Sequence, residues 1–406
     1  MIEAAMTAHF EDMSHLRPSR FALFAYGFRP FFLVAGLHAI IMLTIWLAVL
    51  LTGRWPDGLG SPAAWHGHEM LFGFAAAAIA GFLLTAVPNW TGERGYAGSR
   101  LVALVGLWLA GRVALNPLIP LPILPAAIID LAFFPALCAM VLPSIVKARN
   151  RRNYILLLVL ITLTLASAQY HVDRLGWLPG AWERGRTLAI DMLLLMVALI
   201  GGRIVPSFTS STLKRIGCKT EIPTFGWFDR AALATLVLLA LADLMQPEGT
   251  MPGIASLMAS IAHAARLARW RGLRTLSQPI LWVLHLAYAW IPVGLLLKSS
   301  WLLTGAEIGQ GWIHALTAGA FATMILAVMT RAALGHTGRD IVAARPTVAA
   351  YLLLTLAALV RVLAPVLPDA GLAYDVAGGS WLLSFLLYLL VYAPILVTRR
   401  ADGRPG

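Results

Sequence analysis

Charge is scarce in this chain. Of its 406 residues only 12% are Asp, Glu, Lys or Arg against 59% apolar, and the mean hydropathy is +0.78. That balance lies far outside the soluble range and defines a polytopic membrane protein. Cysteine is nearly absent too. Cys138 falls in an apolar span and Cys218 in a basic loop, at depths too different to pair, which excludes a disulfide framework. No His-Glu-x-x-His spacing follows His68-Glu69, no glycine-rich phosphate loop is present, and no Cys-x-x-Cys-His occurs. These absences exclude the common zinc hydrolase helix, a nucleotide loop and covalently attached haem. Residues 1–30 lack an apolar core, so no cleavable signal peptide is expected. The net charge of +12 is no sign of nucleic acid, because the basic residues sit in short segments between apolar spans, where they set topology.

What the chain has is apolar runs. Scanning for stretches of about 17 to 25 mainly apolar residues gives twelve, near 31–52, 66–87, 101–116, 124–146, 153–170, 187–206, 228–246, 251–268, 279–304, 311–330, 347–366 and 372–397. The expected fold is an all-α integral membrane protein: a segment 1–30, one twelve-helix domain 31–397, and a tail 398–406. Most of the 31 basic residues fall on one side, including Arg17, Arg20 and Arg29, then Lys147 to Arg152, Lys214, Arg215 and Lys219, Arg266 to Arg274, and Arg399 to Arg404. The opposite side has Arg54, Arg174, Arg184 and Arg186. By the positive-inside rule both termini are cytoplasmic.

Helix direction then gives each intramembrane polar residue a depth, at about 1.5 Å per residue. His66, His68 and Glu69 open the second helix from outside, His314 opens the tenth, and His171 ends the fifth on that side. Asp130, Asp191, Arg112, Lys298 and Arg361 also fall in outer halves, whereas His38, His263 and His285 fall in inner halves. A polar site in the outer half of the bundle is expected. An internal repeat supports it: shifting the chain by 246 residues places His68, Gly73, Thr91 and Gly92 on His314, Gly319, Thr337 and Gly338. With a three-residue gap, Gly111-Arg112-Val113 falls on Val360-Arg361-Val362. Gly202-Arg203-Ile204-Val205-Pro206 is a weaker third echo, consistent with a pseudo-threefold array of four-helix units.

Trp65-His66-Gly67-His68-Glu69-Met70 is the costliest cluster, two imidazoles and a carboxylate at the mouth of a membrane helix. Consecutive helical residues turn about 100°, so His66 and His68 point about 160° apart and should not share one metal. On an α-helical wheel His66 shares its face with Met70, Gly73 and Ala77, small enough for a flat ligand. Small residues at such spacing also serve close helix packing. A haem in such a bundle wants imidazoles from different helices, which His66 and His314 supply, and cations at its propionates, for which Arg112 and Arg361 are candidates. Those arginines could equally form ion pairs with Asp130 or Asp191. For copper the outer side offers His68 and His171, with Met70 as a thioether.

The chain resembles the NnrS family of bacterial membrane proteins. The resemblance rests on Gly27-Phe28-Arg29-Pro30-Phe31-Phe32, Trp65-His66-Gly67-His68-Glu69-Met70, Gly202-Arg203-Ile204-Val205-Pro206 and Gly335-His336-Thr337-Gly338-Arg339, and it runs over nearly the whole chain. It implies haem b and copper, an inner-membrane location, and a role in denitrification and relief of nitric oxide stress. Nitric oxide or a related small molecule is then the ligand, a membrane electron donor the partner, and the lipid bilayer the solvent. A more distant similarity is to the catalytic subunit of haem-copper oxidases and nitric oxide reductases, where the second helix carries His-Gly-x-x-Met. There the tenth helix carries His-x-His; here it is Trp312-Ile313-His314, so one ligand is missing. Two other readings remain: a transporter whose buried His and carboxylate groups relay protons, and an assembly factor carrying haem or copper.

Overall fold

A computed structural model describes residues 22–404 except 57, 58, 120, 150, 216, 218–220 and 224. Arg17, Arg20, Cys218 and Lys219 lie outside the described residues. Every regular element among the described residues is helical, as a chain immersed in lipid requires, because only helices satisfy their own backbone groups there. Twelve long helices follow in order. They are α1 (Phe28–Thr52), α2 (Pro62–Thr91), α3 (Ser99–Ala114), α4 (Ile123–Lys147), α5 (Tyr154–Arg174) and α6 (Ala181–Arg215). Then come α7 (Trp227–Met245), α8 (Thr250–Arg269), α9 (Pro279–Thr304), α10 (Glu307–His336), α11 (Arg345–Leu363) and α12 (Ala370–Val397).

Nine helices among the described residues are long and apolar enough to cross a membrane. The three that fall short, α3, α7 and α8, are shorter or more polar. Their faces are nonetheless inverted relative to a water-soluble helix. α7 buries Asp229 and Asp243 while exposing Val237, Leu238, Leu241 and Leu244; α8 buries His263 and Arg266 while exposing Ile254, Met258 and Ile261.

The stretch 171–186, which falls between the expected spans 153–170 and 187–206, is mostly helix. α5 continues to Arg174 and α6 begins at Ala181. The carboxylate of Asp173 accepts from the backbone N–H groups of Gly180 (3.2 Å) and Trp182 (2.9 Å), satisfying donors that the start of a helix leaves free. A Cβ on Gly185 would sit 2.6 Å from the Ala166 carbonyl oxygen, so the backbones of α5 and α6 approach closely there.

The internal repeat has a structural counterpart. α2 is interrupted by a π-helical segment, Glu69–Ala75, and α10 by another, Ala315–Ala322. Both begin directly after the paired histidines, His68 and His314. After each helix a glycine turns the chain in the left-handed region, Gly92 at φ 71° and Gly338 at φ 70°. Gly73 packs against His38 of α1 as Gly319 packs against Trp290 of α9. α1 lies against α2 and α12, α9 against α8 and α10, and α11 against α12.

One apolar core runs from Phe28 to Leu396 through all twelve helices. Arg29, the arginine of the Gly-Phe-Arg-Pro-Phe-Phe motif, is fully buried and donates through Nη1 to the carbonyls of Leu396 (2.9 Å) and Thr398 (2.6 Å). It thereby closes the end of α12, whose last carbonyls have no intrahelical partner.

Candidate functional site

Two polar assemblies meet on α2, one on each side of it. The first is a cavity of about 340 Å³ among α1, α2, α6, α10, α11 and α12. His66, Gly67, Met70, Leu71, Phe74 and Ala75 line it from α2, and Ile313, His314, Thr317, Ala318 and Phe321 from α10. Trp46, Ile190, Trp381 and Tyr374 add apolar and aromatic wall, and Arg186 and Arg361 are its two cations. The His66 ring stacks on Trp46 at 4.7 Å and 13°, which fixes its orientation. Its Nδ1 is buried without a hydrogen-bond partner among the described residues. Arg361 stands 4.7 Å over the Tyr374 ring, with no carboxylate within ion-pair distance among the described residues.

The lining departs from the wheel read off the sequence. His66, Met70, Gly73 and Ala77 were expected on one face; the cavity instead sees 66, 67, 70, 71, 74 and 75. A π-helix bonds i to i+5 rather than i+4, so Glu69–Ala75 shifts the face by a residue. Gly73 is thereby turned away from the cavity: a Cβ there would lie 2.3 Å from His38 Nε2. The widened turn also leaves carbonyls to be satisfied, and His38 Nε2 donates to Glu69 O (3.1 Å) while Trp108 Nε1 donates to Gly73 O (3.2 Å).

The second assembly is a buried ionic cluster between α1 and α5. Arg112 Nη1 donates to Glu69 Oε1 at 2.7 Å, and its Nη2 donates to Asp130 Oδ1. The other oxygen of Asp130, Oδ2, lies 2.9 Å from His171 Nε2, 3.2 Å from His68 Nε2 and 3.1 Å from Ser167 Oγ, which donates to it. His38 Nε2 is 3.2 Å from Glu69 Oε2. All of these groups are buried. Two carboxylates face one guanidinium, so the cluster is one positive charge short until an imidazole takes a proton or a cation binds.

His68, Asp130 and His171 present one ligand atom each, all within 4.8 Å of one another. Asp130 can offer Oδ2 to an ion while Oδ1 keeps Arg112. Two imidazoles and a carboxylate suit a transition metal of the copper or zinc kind.

The structure thus gathers the sequence candidates into two groups. His66, Met70, His314 and Arg361 share the cavity; His68 and His171 share the cluster. Arg112, considered for a propionate, is in the cluster, because two buried carboxylates hold both ends of its guanidinium. His38, assigned to an inner half, reaches Glu69. Sequence reading did not single out Ser167, Trp46, Arg186 or His38 as site residues; only the separation of its polar groups by depth pointed to an outer-half site.

These features define a multi-pass helical membrane protein with an imidazole-lined cavity beside a buried His/carboxylate cluster. The chain belongs to the NnrS family: the family model, described as NnrS protein, matches residues 22–400. No curated protein matches the sequence.

Proposed function

We propose that the cavity is a haem b site in which His66 and His314 would hold the iron, and that the protein serves the response to nitric oxide by handling that gas there. The observation that carries this reading is the pairing of two imidazoles on repeat-related helices in one largely apolar cavity, with an arginine that has no carboxylate of its own. The cavity lies within the usual size of cofactor sites, about 300 to 1,000 Å³. Trp46 holds the His66 ring in place. Arg361, on the wall, is the cation for a propionate, since a guanidinium binds a carboxylate through two parallel donors. Phe74, Phe321 and Trp381 line the cavity and would keep water from a bound macrocycle. A haem held there would supply one-electron chemistry and a site for a diatomic gas, with His66 and His314 as the residues that hold it.

The repeat explains the asymmetry of the two arginines. Glu69 of α2 corresponds to Ala315 of α10, so Arg112 finds a carboxylate where its counterpart Arg361 finds none. This favours a bound anion at Arg361 over the transporter and assembly-factor readings. In the same proposal His68, Asp130 and His171 would hold a copper ion, which would supply the missing positive charge. All twelve helices span the bacterial inner membrane, with both termini in the cytoplasm and the four-helix units in a pseudo-threefold array. The electron donor is a membrane partner.

Nitric oxide titration of the reduced, purified protein tests the role. A shift of the haem absorbance is the expected result; an unmoved spectrum would leave electron transfer alone. Copper should fall to background in His68→Ala and His171→Ala while haem stays, and unchanged copper in both would remove the cluster from the metal reading.

A further inference from the structure

The imidazole-lined cavity has cations in its wall and no acid. Arg186 of α6 and Arg361 of α11 line it, and no Asp or Glu does among the described residues. Arg361 stands over the Tyr374 ring, while Arg186 pairs with Glu183, three residues earlier on the same helix (Nη2 to Oε2, 2.5 Å). Glu183 is exposed, and an ion pair in water contributes little. Arg186 Nε is buried with no hydrogen-bond partner among the described residues, so this guanidinium is short of an acceptor even with Glu183 in place.

The two cations share one edge of the cavity. Arg186 lies near the start of α6 and Arg361 near the end of α11, as His66 and His314 lie near the starts of α2 and α10. One turn deeper along the same two helices the wall is Ile190 and Ala357, and further along α10 it is Phe321 and Ile325. Arg186 also lines a second cavity, of about 310 Å³, which opens at the exposed residues Glu183, Arg184 and Glu248. The edge that carries Arg186 is thus the edge next to water, where the charged groups of a ligand are least costly to place.

We infer that Arg186 is the second anion-binding residue of this cavity, and that the ligand is a flat apolar body with two carboxylates on one edge. Arg361 takes one carboxylate; Arg186 takes the other, exchanging Glu183 for it and releasing Glu183 to water. Arg112, the repeat partner of Arg361, is the second cation that the sequence suggests, but Glu69 and Asp130 keep it in the ionic cluster. The inference rests on the haem reading and deepens it, since the two propionates of haem b are such a pair of carboxylates.

The protein as purified supplies the test. Transfer of its haem to excess apomyoglobin should be roughly tenfold faster in Arg186→Ala than in the wild type, the order expected for one lost hydrogen bond to a charged group. Arg186→Lys keeps the charge and should lie between the two. Glu183→Gln frees Arg186 and removes a like charge, so its transfer should be slower than wild type; if Arg186→Ala does not fold, an unchanged or faster rate in Glu183→Gln overturns the inference. A wild-type rate in Arg186→Ala would overturn it and leave the haem standing. Should the protein purify without haem, iron-free protoporphyrin IX and its dimethyl ester become the probes, read by their fluorescence. Arg186→Ala should then weaken binding of the acid and spare the ester, which would count against the cofactor and for the dicarboxylate site. Equal losses for acid and ester, or binding of neither by the wild type, would overturn the inference.

Discussion

Arg112 and Arg361 occupy positions that the internal repeat pairs, yet their surroundings are opposite. Arg112 is clamped by Glu69 and Asp130; Arg361 faces a cavity and one tyrosine ring. Removing one partner of a buried ion pair leaves an uncompensated charge, so Arg112→Ala should destabilise by about 3–5 kcal/mol, read as a lower unfolding temperature in detergent. Arg361→Ala should leave stability nearly unchanged and weaken cofactor retention instead, read as a smaller haem to protein ratio after gel filtration. Equal thermal losses in the two variants would contradict the distinction. From sequence alone both arginines were open to either role, because the difference lies in carboxylates on other helices, Glu69 (against Ala315) and Asp130, and not in the arginines. Gly73 shows the same limit. Read as part of a ligand strip, it is where His38 comes closest to α2, and Gly73→Ala should cost about 1–3 kcal/mol through overpacking, measured by the same thermal assay.

At the scale of the element, the twelve helices were legible because apolar runs bounded by basic and glycine-containing turns leave a strong trace in composition. The expected 279–304 and 372–397 compare with Pro279–Thr304 and Ala370–Val397. The π-helical segments were not legible. An extra residue in a helical turn changes no composition, only register, and it decides which side chains see the cavity. Deleting Leu71 should return α2 to α-helical register and rotate His66 by about 100° relative to the rest of the helix. The expected outcome is a folded protein that has lost the spectral signature of His66 ligation. A spectrum identical to wild type would show that the register has no such part. The extension of α6 to Ala181 was also missed, since its first turn is polar and depends on Asp173, a residue from the preceding helix.

At the scale of the whole molecule, composition was enough for the membrane class and charge asymmetry for the expectation that both termini share a side, while the pairing of polar groups across helices needed three dimensions. The status of α7 and α8 is the most testable feature of the topology. If both cross the bilayer, Pro247 between them and Leu273 after α8 lie on opposite sides. In a background with Cys138 and Cys218 replaced by serine, Pro247→Cys should react with an impermeant maleimide from the periplasmic side and Leu273→Cys only after lysis. Labelling of both from one side would reduce the number of spans.

Whether His66 and His314 hold the proposed haem is decided by one measurement. It is the absorbance spectrum with iron content of the purified wild type, His66→Ala and His314→Ala. The expected result is a strong Soret band and stoichiometric iron in the wild type, with haem lost or its ligation visibly altered in each variant. A wild type without haem, or variants that retain an unchanged spectrum, would contradict the account.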